Sequence, residues 1–503
     1  MPAAMADEFE FYKPLRNHLR KVGLIESLGV IRAYMQYMQF GATFPRDIEV
    51  EAYFLQAPNP VARKMFEWEL DTLSQEIILH ASEWPAPETL RKWSYLAGAV
   101  NKLKDFENNL ARLYPKDDTI LLELHRIAHR QFPWQRRPNA MWITRYYKIF
   151  GDPGLDALIQ RTIWLTAREL YRIGLVLTGI YLDKFALTYP PHIEIHGLDQ
   201  AKLDRFLTHF AIDLDALKTK TAEVQQLNEN YAYVFNPLRI YPLVWIEDRT
   251  RVVAPIPTFL FRRFTEGLYY EIRDEPGFSD AFGGAFQRYV GEVITAANEG
   301  EVFRIYPEAE YHVGRARRDT VDWIVEERSG TVFVESKTKR LRLEAKTALT
   351  SREALESEMD KLAAFIAQVY RTIRDYRDGR YPQKRYLNEP LLPIVVTLEE
   401  WHAFGDLIQR EIEQRVEAQL LSDGLPNGWL EEMPYVTCSI DDFESAIQII
   451  ARVGVAEVMA RRASNPEYKK WEFRAFLSQE FPEEVRSARA LFSDVLDALS
   501  TGG

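Results

Sequence analysis

Between Asp319 and Arg342 the chain places two β-branched and aromatic runs on either side of the turn residues Arg328, Ser329 and Gly330. The pattern predicts a hairpin of two short strands, Thr320–Glu326 and Thr331–Lys337. Successive strand side chains point to opposite faces, so Glu335 and Lys337 share one face while Val332, Val334 and Ser336 take the other. Normal pairing brings Asp322 alongside them. Asp322 lies inside the apolar run Val321-Asp322-Trp323-Ile324-Val325, where a carboxylate must offset its own desolvation. Two carboxylates and an ammonium converging at one sheet edge can hold a hard divalent cation and attack a phosphodiester.

The flanks of the hairpin give it a place in a fold. Phe282–Asn298 has apolar residues Phe286, Tyr289, Val290, Val293 and Ile294 on one helical face, and Val302–Tyr306 follows as a strand. After the hairpin, Arg352–Arg377 predicts a long helix with Leu355, Met359, Leu362, Phe365, Ile366, Val369 and Tyr370 inward. Leu391–Leu398 is nearly all apolar, as a strand covered on both faces must be. The order is helix, three strands, helix, strand. Beyond it, Phe404–Leu421 and Asp442–Ala463 read as helices and Tyr435–Ile440 as a strand of the same α/β domain.

Upstream, helical periodicity runs from about Leu24 to Asn228, punctuated by proline and glycine, with no fixed-period repeat. Near Val234 the texture turns to β-rich runs, Leu238–Trp245 and Val252–Ile256, around a Glu247-Asp248-Arg249-Thr250 turn, then a helix over Thr258–Ile272. We therefore expect an all-helical domain over 1–233, a hairpin-and-helix linking segment over 234–278, an α/β domain over 279–470 and a helical tail over 471–503.

Bulk properties narrow the classes. A chain of 503 residues suffices for two or three domains. The most apolar helix, Ile163–Leu182, contains Arg168, Glu169 and Arg172, so it reads as buried rather than membrane-spanning. The N-terminus lacks a basic stretch followed by an apolar run, and the lone Cys438 cannot form an internal disulfide or a thiolate cluster. A cytoplasmic protein is expected. The net charge of −11 argues against a chain that coats nucleic acid indiscriminately. Local basic patches decide phosphate contact, however, and Arg315, Arg317, Arg318, Lys337, Lys339, Arg340, Arg342 and Lys346 crowd around the hairpin.

These residues resemble the PD-(D/E)xK nuclease superfamily, the restriction-endonuclease-like fold. Asp322 matches its lone acidic position, Glu335-Ser336-Lys337 matches its E-x-K element, and the predicted order matches its αβββαβ core over roughly 279–399. The superfamily's proline before the first acid is absent, with Val321 in its place, which leaves Asp319 as a rival to Asp322. The resemblance implies Mg²⁺, with Mn²⁺ as the alternative, held by Asp322, Glu335 and the Ser336 carbonyl. Glu292 on the preceding helix would be the accessory acid some of these families use. Lys337 would position and help deprotonate the attacking water. It further implies a nucleic-acid substrate, DNA favoured over RNA, tracked by Arg315, Arg317, Arg318, Lys339, Arg340 and Arg342. By analogy it also suggests a prokaryotic defence or restriction role, an ATPase or helicase partner, and a homo-oligomer. The competing class is a non-catalytic scaffold that binds nucleic acid or protein through the same fold.

Other motifs are weaker. His125 and His129 have the spacing of a zinc pair on a helix, yet Arg126 stands where the general-base glutamate of H-E-x-x-H belongs. They read as ordinary helix histidines, as do His192 and His196 in a loop. The stretch Arg130–Lys148 interleaves arginines with Trp134, Trp142, Tyr146 and Tyr147. Such a mixture can stack on bases, but aromatics at helical spacing more often form core or a protein contact. No phosphate-cradling glycine loop is present, so the chain supplies no ATPase of its own.

Overall fold

The computed structural model describes residues 2–114, 120–191, 197, 199–338, 352–381, 384–400, 406–426 and 428–500. It is a mixed α/β protein with a helical N-terminal region. Among the described residues, eleven strands form three sheets. Strands β1 (Ala186–Thr188), β2 (Ala211–Asp213), β3 (Leu243–Ile246) and β4 (Arg251–Val253) make a sheet in the order β1-β4-β3-β2. Strands β5 (Arg304–Pro307), β8 (Trp323–Glu327), β9 (Gly330–Lys337), β10 (Leu391–Thr397) and β11 (Val436–Ser439) make the second, in the order β11-β10-β9-β8-β5. Between β5 and β8, β6 (Glu310–Val313) and β7 (Ala316–Asp319) form a separate two-stranded ribbon.

The five-stranded sheet explains the sequence pattern. β10 is flanked by parallel partners, β9 and β11, and every one of its residues is buried. β8 and β5 continue the sheet antiparallel, and β5, at its far edge, is partly exposed. Alternation then sorts the side chains. Ile324, Phe333, Leu391 and Val395 pack in one apolar cluster with Leu362, Ile366, Val369 and Ile373 of the helix Arg352–Arg377. Val325, Val332, Val334, Ile394 and Val396 pack in another with Phe286, Val290, Val293 and Ile294 of the helix Phe278–Ala297. The sheet is covered on both faces, as the apolar run of β10 requires.

The second helix seats against β8 by a close approach. A Cβ on Gly291 would lie 2.1 Å from the Trp323 ring, so only glycine lets the helix come this near. Trp323 Nε1 donates to the Gln287 carbonyl at 2.9 Å and locks the seat. The residue immediately before Trp323 is Asp322.

The expected boundaries shift. Among the described residues of 1–233 the regular elements are helices apart from β1 and β2, and those two short strands pair with β4 and β3. Segment 234–278 is therefore integrated: Val244, Ile246, Val253 and Phe259 bury themselves in the N-terminal core with Leu28, Leu73 and Leu103. The helix expected over Thr258–Ile272 is three short pieces, Pro257–Phe264, Glu266–Leu268 and Tyr269–Ile272. The helices Ala140–Phe150 and Ala167–Asp183 share one apolar core with Phe278–Ala297 and with Phe476, Leu477 and Leu499 of the last helices. The described part of the expected helical tail, 471–500, packs its helices into this core. A buried ion pair reinforces this junction: Arg145 donates to Glu444 at 2.6 and 2.8 Å and to Asp441 at 2.5 Å, and Tyr289 donates to Glu444 at 2.7 Å. Among the described residues no helix is long and apolar enough to cross a membrane.

Candidate active site

The last ladder pair of the β8–β9 hairpin is Trp323 with Val334, so Asp322 stands one step further, level with Glu335. The entrance of β8 is fixed from the other side. Thr320 donates its amide to the Ala309 carbonyl at 3.0 Å and accepts from the Ala309 amide on its hydroxyl at 2.8 Å, closing the base of the β6–β7 ribbon. Asp322 Oδ2 accepts from the Ser336 amide at 2.6 Å and from the Ser336 hydroxyl. Two donors on one oxygen set the rotamer of the carboxylate. Ser336 was expected to act through its carbonyl; its amide and hydroxyl are the groups in contact with the acid.

Glu335 is 3% exposed and lies on the same sheet face as Phe333. Its Oε1 accepts from Lys337 Nζ at 2.5 Å, and its Oε2 is buried with no hydrogen-bond partner among the described residues. Leaving a buried acceptor unmatched costs roughly 1–3 kcal/mol, more for a charged group. Burial pushes the Glu335 carboxyl up to about 7, and the charge of Asp322 adds to that rise against the pull of Lys337. Asp322 is also raised by burial, although the Ser336 hydrogen bonds oppose the shift. Lys337 Nζ sits 5.2 Å from the centroid of the Phe365 ring on the helix Arg352–Arg377, which holds the ammonium over a π-face.

Asp322, Glu335 and Lys337 are thus brought together, as their spacing predicted. Glu292 is not: its carboxylate pairs with Lys148 Nζ at 2.9 Å and is half exposed. Gln287 and Gly291 mark the helix face turned toward Trp323, and Glu292 lies about 100° around the helix from Gly291. Glu308, in the turn between β5 and β6, is the acid that raises both Asp322 and Glu335 electrostatically. Gln287 Nε2 donates to it at 2.9 Å. Sequence reasoning passed over Glu308; the available signal was an acid placed directly after the first core strand. Asp319, the rival ligand, is exposed on β7 opposite Glu310.

The basic residues divide. Arg318 is pinned to the buried Asp375 at 2.5 Å, beside Tyr311, which donates to the same oxygen at 2.8 Å. Arg317 pairs with Glu310 at 3.1 Å, and Arg315 is exposed at the ribbon turn. Lys339, Arg340, Arg342 and Lys346 lie outside the described residues, as do His192 and His196. His129 is buried, and Arg126 beside it binds Glu123 at 3.0 Å and Asn230 at 2.7 Å. Cys438 is buried in β11, and burial pushes its thiol well up, which suits packing rather than attack.

Among the described residues no three His, Cys, Asp or Glu side chains form a ready-made metal cluster. Mg²⁺ does not demand one, since it keeps several waters and takes one or two carboxylates plus substrate phosphate. The unmatched Oε2 of Glu335 beside Asp322 fits that donor set. The arrangement can hold a cation at two carboxylates and present an ammonium next to it.

No family model matches this chain, and no curated protein matches it. Among solved structures, the crystal structure of protein VC1899 from Vibrio cholerae is similar over 63% of this chain and 57% of its own, at 11% sequence identity and a TM-score of 0.19. A likeness that distant carries no argument about fold or function.

Proposed function

We propose that this chain is a metal-dependent nuclease with a PD-(D/E)xK core, hydrolysing phosphodiester bonds of nucleic acid, with DNA the favoured substrate. One observation carries the reading: a buried glutamate oxygen without a partner among the described residues, beside a second carboxylate and a lysine, at the end of a hairpin. The sheet strands β5, β8 and β9 follow the helix Phe278–Ala297 and precede the helix Arg352–Arg377 and β10, with the β6–β7 ribbon inserted.

Asp322 and Glu335 would hold the Mg²⁺ or Mn²⁺. When bound, such an ion supplies charge to the scissile phosphate and acidifies a bound water. The chain's own residues do the rest. Ser336 occupies Oδ2 of Asp322, which fixes the carboxylate. Glu335 anchors the Lys337 ammonium, so Nζ is placed to orient water and to neutralise negative charge developing on the phosphate. A bound cation favours the ionised form of Glu335 and offsets the rise that burial imposes. Arg315 and Arg317, on a ribbon that starts two residues after Glu308 and ends three before Asp322, give the phosphate backbone a basic contact leading to the site.

A second reading has its own support. The 2.5 Å contact of Lys337 with Glu335 is also what a closed structural ion pair makes, as in a scaffold that binds without cutting. Incubating the full chain with plasmid, single-stranded DNA and RNA, each with Mg²⁺, Mn²⁺ or chelator, separates the two. Metal-dependent cleavage of at least one substrate is expected. Intact substrates under every metal condition would leave the scaffold.

A further inference from the structure

Arg462, on the helix Val455–Ser464, is a buried guanidinium without a counter-ion. It is 4% exposed, and its Nε and Nη1 have no hydrogen-bond partner. Nη2 donates to the Tyr435 and Lys469 carbonyls at 3.4 and 3.3 Å, and the Phe473 and Phe476 ring centroids lie 5.6 and 5.9 Å from Cζ. No carboxylate pairs with it among the described residues, whereas the equally buried Arg145 holds both Glu444 and Asp441. Burial pulls the Arg462 guanidinium down to about 10, and the groups opposing that pull are Tyr435, Tyr370 and Cys438, all neutral at pH 7. A charge buried in this way is costly until an anion meets it.

Arg462 lines a cavity of about 120 Å³ bordered by β11 and the helices Asp406–Ser422 and Phe473–Glu480. A cavity of about 150 Å³ takes benzene, so the occupant is a molecule of that order rather than a nucleotide. Lys469 lines the same wall and also has no acid paired to it among the described residues; Lys470 is tied to Glu467 at 2.8 Å. Two acids in the wall, Glu413 and Glu472, likewise have no hydrogen bond or close ion pair to a described residue. Arg136 and Arg474 act on Glu472 only through space. The other two acids are occupied. Asp442 lies 3.5 Å from Arg474, and burial with the charges of Asp442 and Glu472 pushes the Glu400 carboxyl up toward its neutral form. Leu430, Pro434 and Trp471 add apolar surface.

We propose that this cavity binds a small free α-amino acid, its carboxylate accepting from Arg462 and its ammonium meeting Glu413 and Glu472. A plain anion would satisfy the arginine and be repelled by the two acids; a plain amine would do the reverse. A ligand with both charges on a small frame suits both, and the hydrogen bonds from a charged donor to a carboxylate are the strong ones. The helix of Arg462 starts on the turn of the β8–β9 hairpin, where the Val455 amide donates to Glu327 at 3.3 Å and the Ala456 amide to Ser329 Oγ at 3.1 Å. The site is thus one helix away from the strands of the nuclease reading and independent of it.

Calorimetric titration and thermal melting of the full chain in chelator test the proposal without hydrolysis. The probes are glycine, alanine, serine, valine, leucine and aspartate, with propionate, ethylamine and inorganic phosphate as the single-charge controls. At least one amino acid should bind saturably, about tenfold or more tighter than every control, and raise the melting temperature. Arg462→Met should weaken that binding by about tenfold or more while melting no lower than the parent, because it removes a buried charge that lacks a partner. The double change Glu413→Gln and Glu472→Gln, at less buried positions, should weaken it by a similar factor and decides the matter if Arg462→Met does not fold. Absence of binding by every amino acid, binding indifferent to these changes, or a control binding as tightly as the best amino acid overturns the proposal. Cleavage is not read in any arm, so failure here leaves the nuclease reading standing, and loss of that reading leaves this site.

Discussion

Ser336 spends its backbone amide and its hydroxyl on the same oxygen of Asp322, one strand away. The contact joins the middle residue of the E-x-K element to the lone acid of the neighbouring strand. It fixes the carboxylate before any cation arrives.

Removing the hydroxyl isolates its contribution. In Ser336→Ala the amide bond remains, so the fold should lose only about 1 kcal/mol in a urea titration. The hydroxyl bond holds the Asp322 carboxyl down against burial, so its loss raises that group further. The acid limb of the pH–rate profile should move to higher pH, with cleavage reduced but present. An unmoved acid limb would separate Asp322 from the reaction.

Glu335 links the site to pH. Its folded carboxyl, at about 7, stands above the usual 4.5, so the folded state holds the proton longer than the unfolded chain. Stability from this group is full below about 4.5 and is lost as pH rises through about 7, to a limit of about 3 kcal/mol. Without metal, Glu335→Gln should therefore match the parent near pH 5 and be the more stable protein at pH 8. Millimolar Mg²⁺ or Mn²⁺ should raise the melting temperature of the parent at pH 8 and leave Glu335→Gln unmoved.

The acid expected beside the site and the acid found there differ. Glu292 pairs with Lys148, whereas Glu308 raises both candidate carboxylates. Glu292→Ala should leave the cleavage rate within about twofold, a change of under about 0.5 kcal/mol in the barrier. Glu308→Gln should lower the pH at which the parent's acid limb falls, because a negative neighbour is removed. A large rate loss in Glu292→Ala with none in Glu308→Gln would restore the original assignment.

The seat of β8 has no spare room. Gly291→Ala forces a methyl into the Trp323 ring, and overpacking of this kind costs about 1–3 kcal/mol. Chemical denaturation should report that loss, and cleavage should fall with it because Trp323 carries Asp322 on its N-terminal side.

The hairpin was legible because β-branched runs and Gly330 leave little else to form, and β10 because seven consecutive residues are suited to burial on both faces. The ribbon β6–β7 was not. Its residues are mostly charged or polar, so no alternation marks it, and the arginines there read only as a patch. β1 and β2 span three residues each, too few to show a period. The direction of Glu292 was hidden for a different reason: helical spacing defines faces but does not say which face meets Trp323. Gly291 settles that through a contact with a residue 32 positions away. The boundary expected at 233 failed because strand pairing between Leu243 and Ala211 overrides the change in local texture.

The most direct test of the central claim is the rate of plasmid cleavage in Mg²⁺ or Mn²⁺ by the parent, Asp322→Asn, Glu335→Gln and Lys337→Ala, each shown to melt cooperatively. Metal-dependent cutting by the parent and a loss of about 100-fold or more in each variant is the expected result, the scale at which a single electrostatic contact to the transition state acts. Parent-like cutting by Glu335→Gln or Lys337→Ala would contradict it.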